Sequence, residues 1–287
     1  MSALELDTFR EAIGRRGIET RETLDLWTCL MYHRTFVRDA AEPDHGSLIP
    51  PGWHFLYDRP GSGLDELRPD GMPARSSVVP DIPLPRRMFA GEEITWYLPV
   101  HIGDTVTQST VLDSVEEKTG SSGDLVFVGV RQEIKVPDGV AISGVAKTVF
   151  RGADRSTGNA SNSPHESSEP RKWTRSASVT LNAVQLFRYS ALTFNSHRIH
   201  YDHLWVTRQE GYPGLVVQGR LTSLLLLGFG MQQWPDATPR RYTYRAVNPV
   251  FADTPVALCA IDNDKGAELA AVLDDGRVAM RAVLEVE

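Results

Sequence analysis

The chain is poor in cysteine, has no apolar segment long enough to span a membrane and carries no excess of basic residues. Two cysteines among 287 residues, Cys29 and Cys259, exclude a disulfide framework and a cysteine-based structural zinc site. The leucine run at 224–227, within the apolar segment 221–231, falls far short of a membrane span. Residues 1–21 lack the apolar core of a secretory signal. We therefore expect a soluble, cytoplasmic protein.

The charge balance restricts the classes of partner. Thirty basic residues against thirty-seven acidic ones give a net charge of −7. General binding to nucleic acid or to an acidic membrane needs a concentrated basic face, so the sequence predicts neither partner. An apolar content of 41% is enough for a sizeable core.

One segment divides the chain. Residues 152–170 are rich in serine, asparagine, glycine and proline and contain no aromatic or large aliphatic side chain. Such a composition cannot bury enough surface to offset its ordering entropy, so we interpret it as a linker. The predicted domains are therefore residues 1–151 and residues 171–287, joined by the linker.

The two parts share a sequence pattern. Residues 99–106 (PVHIGDTV) resemble residues 249–256 (PVFADTPV), in which the aspartate comes one position earlier. Each is followed by alternating apolar runs typical of antiparallel strands, at 125–136 and 140–150 in the first part and at 268–273 and 277–286 in the second. Residues 219–230 are too apolar for a surface helix and should form a buried one. The pattern predicts an α+β fold with a sheet wrapped on a central helix in each half, and further helices at 7–16 and 22–36.

Residues 189–219 contain the chemically informative motif. Asn195, His197 and His200 follow an apolar run. This segment resembles the MaoC-like hot-dog hydratases and dehydratases, whose signature is Asp-x-Asn-Pro-x-His. The five-residue spacing aligns the family's catalytic aspartate with Asn195 and its catalytic histidine with His200. The sequence Val217-Gln218-Gly219 similarly resembles the family's Val-His-Gly.

Departures from that signature point to a subgroup. Asn195 replaces aspartate, His197-Arg198 replaces Asn-Pro, and Gln218 replaces histidine. A subgroup that includes mesaconyl-C4-CoA hydratases, itaconyl-CoA hydratases and fungal-type hydroxyacyl-thioester dehydratases carries the motif Phe-Asn-x-His-Arg-Ile-His-Tyr-Asp. The chain matches this motif at Phe194, Asn195, His197, Arg198, Ile199, His200, Tyr201 and Asp202. Residues 83–91 and 118–128 resemble the same subgroup. The resemblance implies a double hot-dog fold with a degenerate, non-catalytic first half that shapes the acyl-CoA tunnel.

The resemblance also implies an activity. We expect reversible hydration of a 2-enoyl-CoA thioester, with a branched C4–C5 dicarboxylic acyl group favoured. His200 would act as general acid and base, Asn195 would position the water, and the Gly219 N–H would help bind the thioester oxygen. Val217, Gln218 and Tyr201 are expected to contact the substrate.

Arg198 and its neighbours allow more than one role. Arg198 could bind the free carboxylate of a dicarboxylic substrate, or pair with Asp202 four residues on, which we favour. His197 is interpreted as scaffold, and the pair His197/His200 lacks a third metal ligand nearby. The arginine pairs 86/87 and 240/241 could meet the coenzyme A phosphates or be solvated surface. No metal, flavin or nucleotide cofactor is implied.

Three alternatives remain open from the sequence. The first is a dehydratase for fatty or polyketide 3-hydroxyacyl thioesters, and the second is a catalytically silent acyl-CoA binder. The third is a hot-dog thioesterase, against which the absence of an acidic residue at 219–230 counts. A homodimer or a higher oligomer is compatible with the sequence.

Overall fold

The computed structural model describes residues 9–15, 17–37, 40–59, 61–79, 82, 84, 86–120, 123–152 and 172–287. Its strands are β1 (Gly17–Thr23), β2 (Arg86–Trp96), β3 (Thr105–Gly120), β4 (Gly123–Val136), β5 (Gly139–Arg151), β6 (Arg175–Val179), β7 (Pro239–Ala246), β8 (Val256–Asn263), β9 (Gly266–Leu273) and β10 (Val278–Val286). Its helices are α1 (Leu26–Phe36), α2 (Ala183–Leu192), α3 (His203–Arg208) and α4 (Gly219–Met231), with short 3-10 helices at Trp53–Tyr57, Leu64–Glu66 and Arg198–His200.

The strands form a single antiparallel sheet in the order β1-β3-β4-β5-β2-β7-β10-β9-β8-β6. Taken from each outer edge of the sheet toward its middle, the strands follow the same order in both halves: β1-β3-β4-β5-β2 matches β6-β8-β9-β10-β7. The two sets meet where β2 pairs with β7. Isolated bridges Leu48↔His101 and Val216↔Phe251 occupy matching places in the two sets. The α+β class and the repeated architecture predicted from the sequence are therefore confirmed.

Helix α4 lies in the concave side of the second half and packs on β7 to β10. The helix is apolar on nearly every side, so burying it removes a large apolar surface from water. Its almost fully buried side chains include Leu221, Leu224, Leu226, Leu227 and Phe229. In the first half, the short 3-10 helix Trp53–Tyr57 stands between α1 and β2, where the second half has α4. Among its described residues the first half therefore lacks a long central helix, and the prediction of a central helix in each half holds only for the second half.

Two helix predictions need correction. The predicted helix at 22–36 begins only at Leu26, because Glu22 and Thr23 belong to β1, where they pair with Val106 and Thr105. Asp25 starts α1 by accepting a hydrogen bond from the Thr28 N–H at 2.8 Å. Of the predicted helix at 7–16, residues 9–11 are helical and residues 12–15 form a turn, while residues 7, 8 and 16 lie outside the described residues.

Most of the predicted linker, residues 153–170, lies outside the described residues, so the proposed domain boundaries stay a prediction. None of the helices in the described part of the chain is long and apolar enough to cross a membrane.

Candidate active site

Helix α2 positions Asn195. The helix begins at the Asn182 cap and ends at Leu192. Phe194 then takes a left-handed backbone conformation, with φ of 51°, which is uncommon for a bulky residue. This turn lets the Asn195 N–H donate to the Ser190 carbonyl at 2.8 Å. The Asn195 Oδ1 accepts from the His197 N–H at 3.1 Å, so the side chain fixes the start of the motif.

His200 is held in one tautomer. Its Nδ1 lies 2.7 Å from the Val216 carbonyl oxygen. Since a carbonyl only accepts hydrogen bonds, Nδ1 carries the proton and Nε2 keeps its lone pair in the neutral ring. The Val216 N–H in turn donates to the Ile199 carbonyl at 3.0 Å. The imidazole is therefore oriented by a rigid backbone segment.

Burial keeps this imidazole neutral. His200 is only 7% exposed, and burial lowers its pKa to about 4, with the neighbouring His197 ring also lowering it and the Val216 bond acting the other way. The His197 ring stands nearly perpendicular to that of His200, at 5.5 Å between centroids. At neutral pH the His200 Nε2 is therefore a base that is ready to take a proton.

Gly219 opens α4 three residues after Val216. The first N–H groups of a helix have no intrahelical partner and carry its positive dipole end. A Cβ added at Gly219 would find the nearest neighbour, Phe89 Cδ1, at 3.8 Å, so the backbone here is open to close approach. The position suits stabilisation of a developing oxyanion.

Gln218 ties the start of α4 to α2. Its Nε2 donates to the Leu186 carbonyl at 3.0 Å and to the Ser190 hydroxyl at 2.9 Å. Ser190 also receives the Asn195 N–H, so one residue of α2 links Asn195 to the helix that carries Gly219. The Val217 N–H donates to the Val250 carbonyl at 2.8 Å. The backbone of Val217 and the amide nitrogen of Gln218 thus hold the site together.

Arg198 and Tyr201 brace the motif from outside. Arg198 donates from Nε and Nη2 to Asp202 Oδ2, at 3.1 and 2.7 Å, so the ion pair that the sequence allowed is present. Its guanidinium also lies 3.9 Å from the centre of the Trp205 ring. The Tyr201 hydroxyl donates to the Ser196 carbonyl at 3.0 Å, and the side chain is 44% exposed.

A loop of the first half supports the motif, which the sequence did not indicate. The Asp70 carbonyl accepts from the Arg198 N–H at 2.8 Å, and the Ser196 hydroxyl donates to the Gly71 carbonyl at 2.5 Å. Gly71 has φ of +84°, and a Cβ there would lie 1.9 Å from the Ser196 carbonyl oxygen. Only glycine fits this contact. In the sequence, the only feature that could have indicated this contact is the glycine itself, between Asp70 and Met72.

The sequence also showed no sign of a partly buried ionic cluster. Arg220, next to Gly219, pairs with Asp58, donates to Gln132 Oε1 at 2.9 Å and lies 3.5 Å from Glu92 Oε2. Burial raises the pKa of Glu92, although Arg220 and the Tyr244 hydroxyl, which donates to Glu92 at 2.9 Å, oppose the shift. The cluster joins the two halves directly behind the candidate oxyanion site.

The arginines that the sequence offered for the coenzyme A phosphates lie on strands, outside the hydrogen-bonded arrangement described above. Arg241 pairs with Glu93 at 2.5 Å on the exposed side of the sheet. Arg87 lies on β2, and the side chain of Arg86 is not among those described. Within the described residues, no group of three or more histidine, cysteine, aspartate or glutamate side chains is arranged to hold a metal ion.

Known proteins resemble the chain in sequence. A mesaconyl-C(4)-CoA hydratase of Chloroflexus aurantiacus is 35% identical over 246 residues, 85% of this chain and 86% of that protein. A mitochondrial hydroxyacyl-thioester dehydratase type 2 of Schizosaccharomyces pombe is 24% identical over 74% of this chain and 77% of its own length.

Solved structures resemble it in fold. A MaoC-like dehydratase from Phytophthora capsici superposes with a TM-score of 0.71 at 14% identity, covering 97% of this chain and 98% of that one. A Mycobacterium tuberculosis protein with a double hotdog fold gives a TM-score of 0.57 at 13% identity, covering 94% and 96%. The fold of this chain is therefore a double hot-dog.

The family model for hydroxyacyl-thioester dehydratase type 2 matches residues 52–252, which include every residue of the site described above. This match agrees with the repeated five-strand sheet and with the buried, neutral His200. The chain therefore belongs to the hydroxyacyl-thioester dehydratase type 2, MaoC-like family of hot-dog hydro-lyases.

Proposed function

We propose that the protein reversibly hydrates a 2-enoyl-CoA thioester, with a branched C4–C5 dicarboxylic acyl group of the mesaconyl-C4-CoA or itaconyl-CoA type as its favoured substrate. The observation that carries the chemistry is His200, a buried imidazole whose Nε2 keeps its lone pair while Nδ1 is fixed on Val216. The favoured acyl group is supported by the 35% identity to a mesaconyl-C(4)-CoA hydratase.

In the proposed reaction, His200 Nε2 removes a proton from water as the oxygen attacks the β-carbon of the enoyl group. The electron pair of the double bond moves toward the α-carbon and the thioester oxygen, giving an enolate. The protonated His200 then returns its proton to the α-carbon, so addition of one water is complete and the enzyme is regenerated.

Two further groups assist these steps. The Gly219 N–H, with the positive end of the α4 dipole, stabilises the negative oxygen of the enolate. Loss of one such donor in other enzymes costs roughly 3 to 4 kcal/mol of transition-state stabilisation. The Asn195 amide orients the attacking water, since it has hydrogen-bonding groups beyond the Oδ1 contact with His197.

The second candidate substrate is a fatty 3-hydroxyacyl thioester, supported by the similarity to a hydroxyacyl-thioester dehydratase type 2 of yeast mitochondria. The two candidates use the same catalytic groups and differ in the acyl end. A comparison of acyl groups therefore distinguishes the two candidate substrates, whereas a substitution of His200 would abolish both activities and distinguish neither.

The test follows the loss of the conjugated enoyl-thioester absorbance with mesaconyl-C4-CoA, itaconyl-CoA and crotonyl-CoA in parallel. Rapid loss with a dicarboxylic ester and slow loss with crotonyl-CoA is the expected result. Preference for crotonyl-CoA would assign the protein to fatty thioesters. Release of free coenzyme A without hydration would identify a thioesterase, and binding without either reaction a silent acyl-CoA binder.

A further inference from the structure

Arg87 lies on the face of β2 that leads to the candidate thioester site. In a strand, residues two apart point to the same face, so Arg87 and Phe89 share a side of the sheet. Phe89 is the residue nearest to a Cβ added at Gly219, at 3.8 Å. The rise of a strand places Arg87 about 7 Å along β2 from Phe89. The Arg87 guanidinium lies over the Phe150 ring, 5.8 Å from its centre, and Phe150 is its partner on β5.

No carboxylate among the described residues pairs with Arg87 or acts on its pKa; partial desolvation lowers that pKa, and the neighbouring Arg68 lowers it further. Arg68 has its own carboxylate, Asp70, at 2.6 Å. The Arg87 side chain is exposed on the face of β2 that it shares with Phe89, so its guanidinium can be reached by a carboxylate or phosphate, which it can bind through two parallel N–H groups.

We propose that Arg87 binds an anionic group of the acyl-CoA substrate, with the free carboxylate of the acyl group as the favoured ligand. The proposal rests on the function proposed above for its substrate class. Spacing favours the carboxylate, because it lies only a few bonds from the thioester carbon in a C4–C5 dicarboxylic acyl group. The coenzyme A phosphates lie beyond the whole length of the pantetheine arm. Arg198, by contrast, already has its fork on Asp202.

Binding of saturated thioesters tests this site without any turnover. Titration calorimetry would compare succinyl-CoA, which has a free carboxylate, with butyryl-CoA, which lacks one, and with S-butyryl-N-acetylcysteamine, which also lacks the phosphates. We expect Arg87→Gln to weaken succinyl-CoA at least about tenfold, the effect of losing a charged hydrogen bond, and to leave the other two unchanged. Arg87→Lys, which keeps the charge without the planar fork, should recover part of the affinity.

Arg241→Gln is the matched control. Tyr242 and Tyr244 point inward and are almost fully buried, so Arg241 lies on the opposite face of β7. Its loss should change none of the three affinities. Circular dichroism of each variant would verify that the fold is intact.

The outcomes separate the two sources of anion. Equal weakening of both coenzyme A esters with the N-acetylcysteamine ester unaffected would place a phosphate on Arg87. The proposal would be refuted if Arg87→Gln weakened the binding of all three esters equally or of none. It would also be refuted if the unchanged protein bound none of them. Because these esters cannot be hydrated, failure of the enoyl-thioester assay would refute the proposed function without deciding the role of Arg87.

Discussion

The Val216 carbonyl oxygen lies 2.7 Å from Nδ1 of His200, and this contact leaves Nε2 as the ring nitrogen that carries the lone pair. Val216 comes three residues before Gly219, so the carbonyl that fixes the proposed base and the N–H proposed to bind the enolate oxygen belong to one short segment. A change that displaces this segment therefore disturbs proton transfer and oxyanion stabilisation together.

Replacing His200 should abolish hydration while the fold remains. His200→Asn is the sharper variant, since an asparagine amide can still donate to the Val216 carbonyl but offers no basic nitrogen. We expect kcat to fall by roughly 10² to 10⁴, the usual contribution of general acid–base catalysis, with little change in KM. Turnover within a few fold of the unchanged protein would refute the role assigned to His200.

Asn195→Asp should be tolerated better than Asn195→Ala. An aspartate oxygen can still accept the His197 N–H and orient water, whereas alanine can do neither. Enoyl-thioester absorbance would give kcat for both variants, and thermal unfolding would correct for loss of the turn. Equal activity of the two variants would show that the Asn195 side chain does not orient the water.

The acid limit of activity should lie near pH 4. His200 must be neutral to act as a base, and burial lowers its pKa from 6.5 to about 4, so the base form persists well below the usual histidine range. Activity should therefore be lost only as the pH falls through about 4. The kcat/KM profile with crotonyl-N-acetylcysteamine checks this, since that thioester has no ionisable carboxylate or phosphate. An acid limit near pH 6.5 would contradict it.

Gly71→Ala should reduce both stability and kcat. The new Cβ would collide with the Ser196 carbonyl and push the motif away from its support. Gly46→Ala is the matched control, because Gly46 has the same φ of +84° and nothing within 4 Å of its added Cβ. The left-handed backbone alone costs about 1 to 2 kcal/mol, so a larger loss and a lower kcat only at residue 71 would identify the loop contact.

Arg220→Met should lower the free energy of unfolding substantially, because it leaves Asp58 and Glu92 without their cation. Breaking a fully buried pair costs roughly 3 to 5 kcal/mol. The side chains of Arg220 and Asp58 are 24% and 36% exposed, so solvent screening should place the loss below that range. Glu92→Gln should cost much less, since the amide oxygen can still accept from Tyr244. Urea unfolding at neutral pH would give the free energy of unfolding of both variants. Equal losses of stability would show that Arg220 does not hold the cluster together as proposed.

Local patterns made part of the structure predictable. Strand alternation located β4, β5, β9 and β10 within two residues, and the apolar density of residues 219–230 located α4. Strand β1 escaped detection because it is an exposed edge strand whose side chains show no alternating burial. The spacing from Asn195 to His200 sufficed to align the motif with a known family.

Contacts between distant residues were not predictable. Gly71 meets Ser196 across 125 positions, and Arg220 meets Asp58 across 162. Nothing in either segment alone distinguishes Gly71 from an ordinary turn glycine, or Asp58 from an exposed aspartate. These residues gain their meaning only from the way the two halves fold against each other.

The junction of β2 with β7 places two versions of one architecture in a single polypeptide. In an assembly of identical subunits, every substitution appears on both sides of the symmetry axis. Here each half can change alone. The first half has a short 3-10 helix where the second keeps α4, and it supplies Gly71 and Asp58 as supports for its neighbour. Covalent linkage of the two units thus permits a division of labour between chemistry and scaffolding that a symmetric dimer could not adopt.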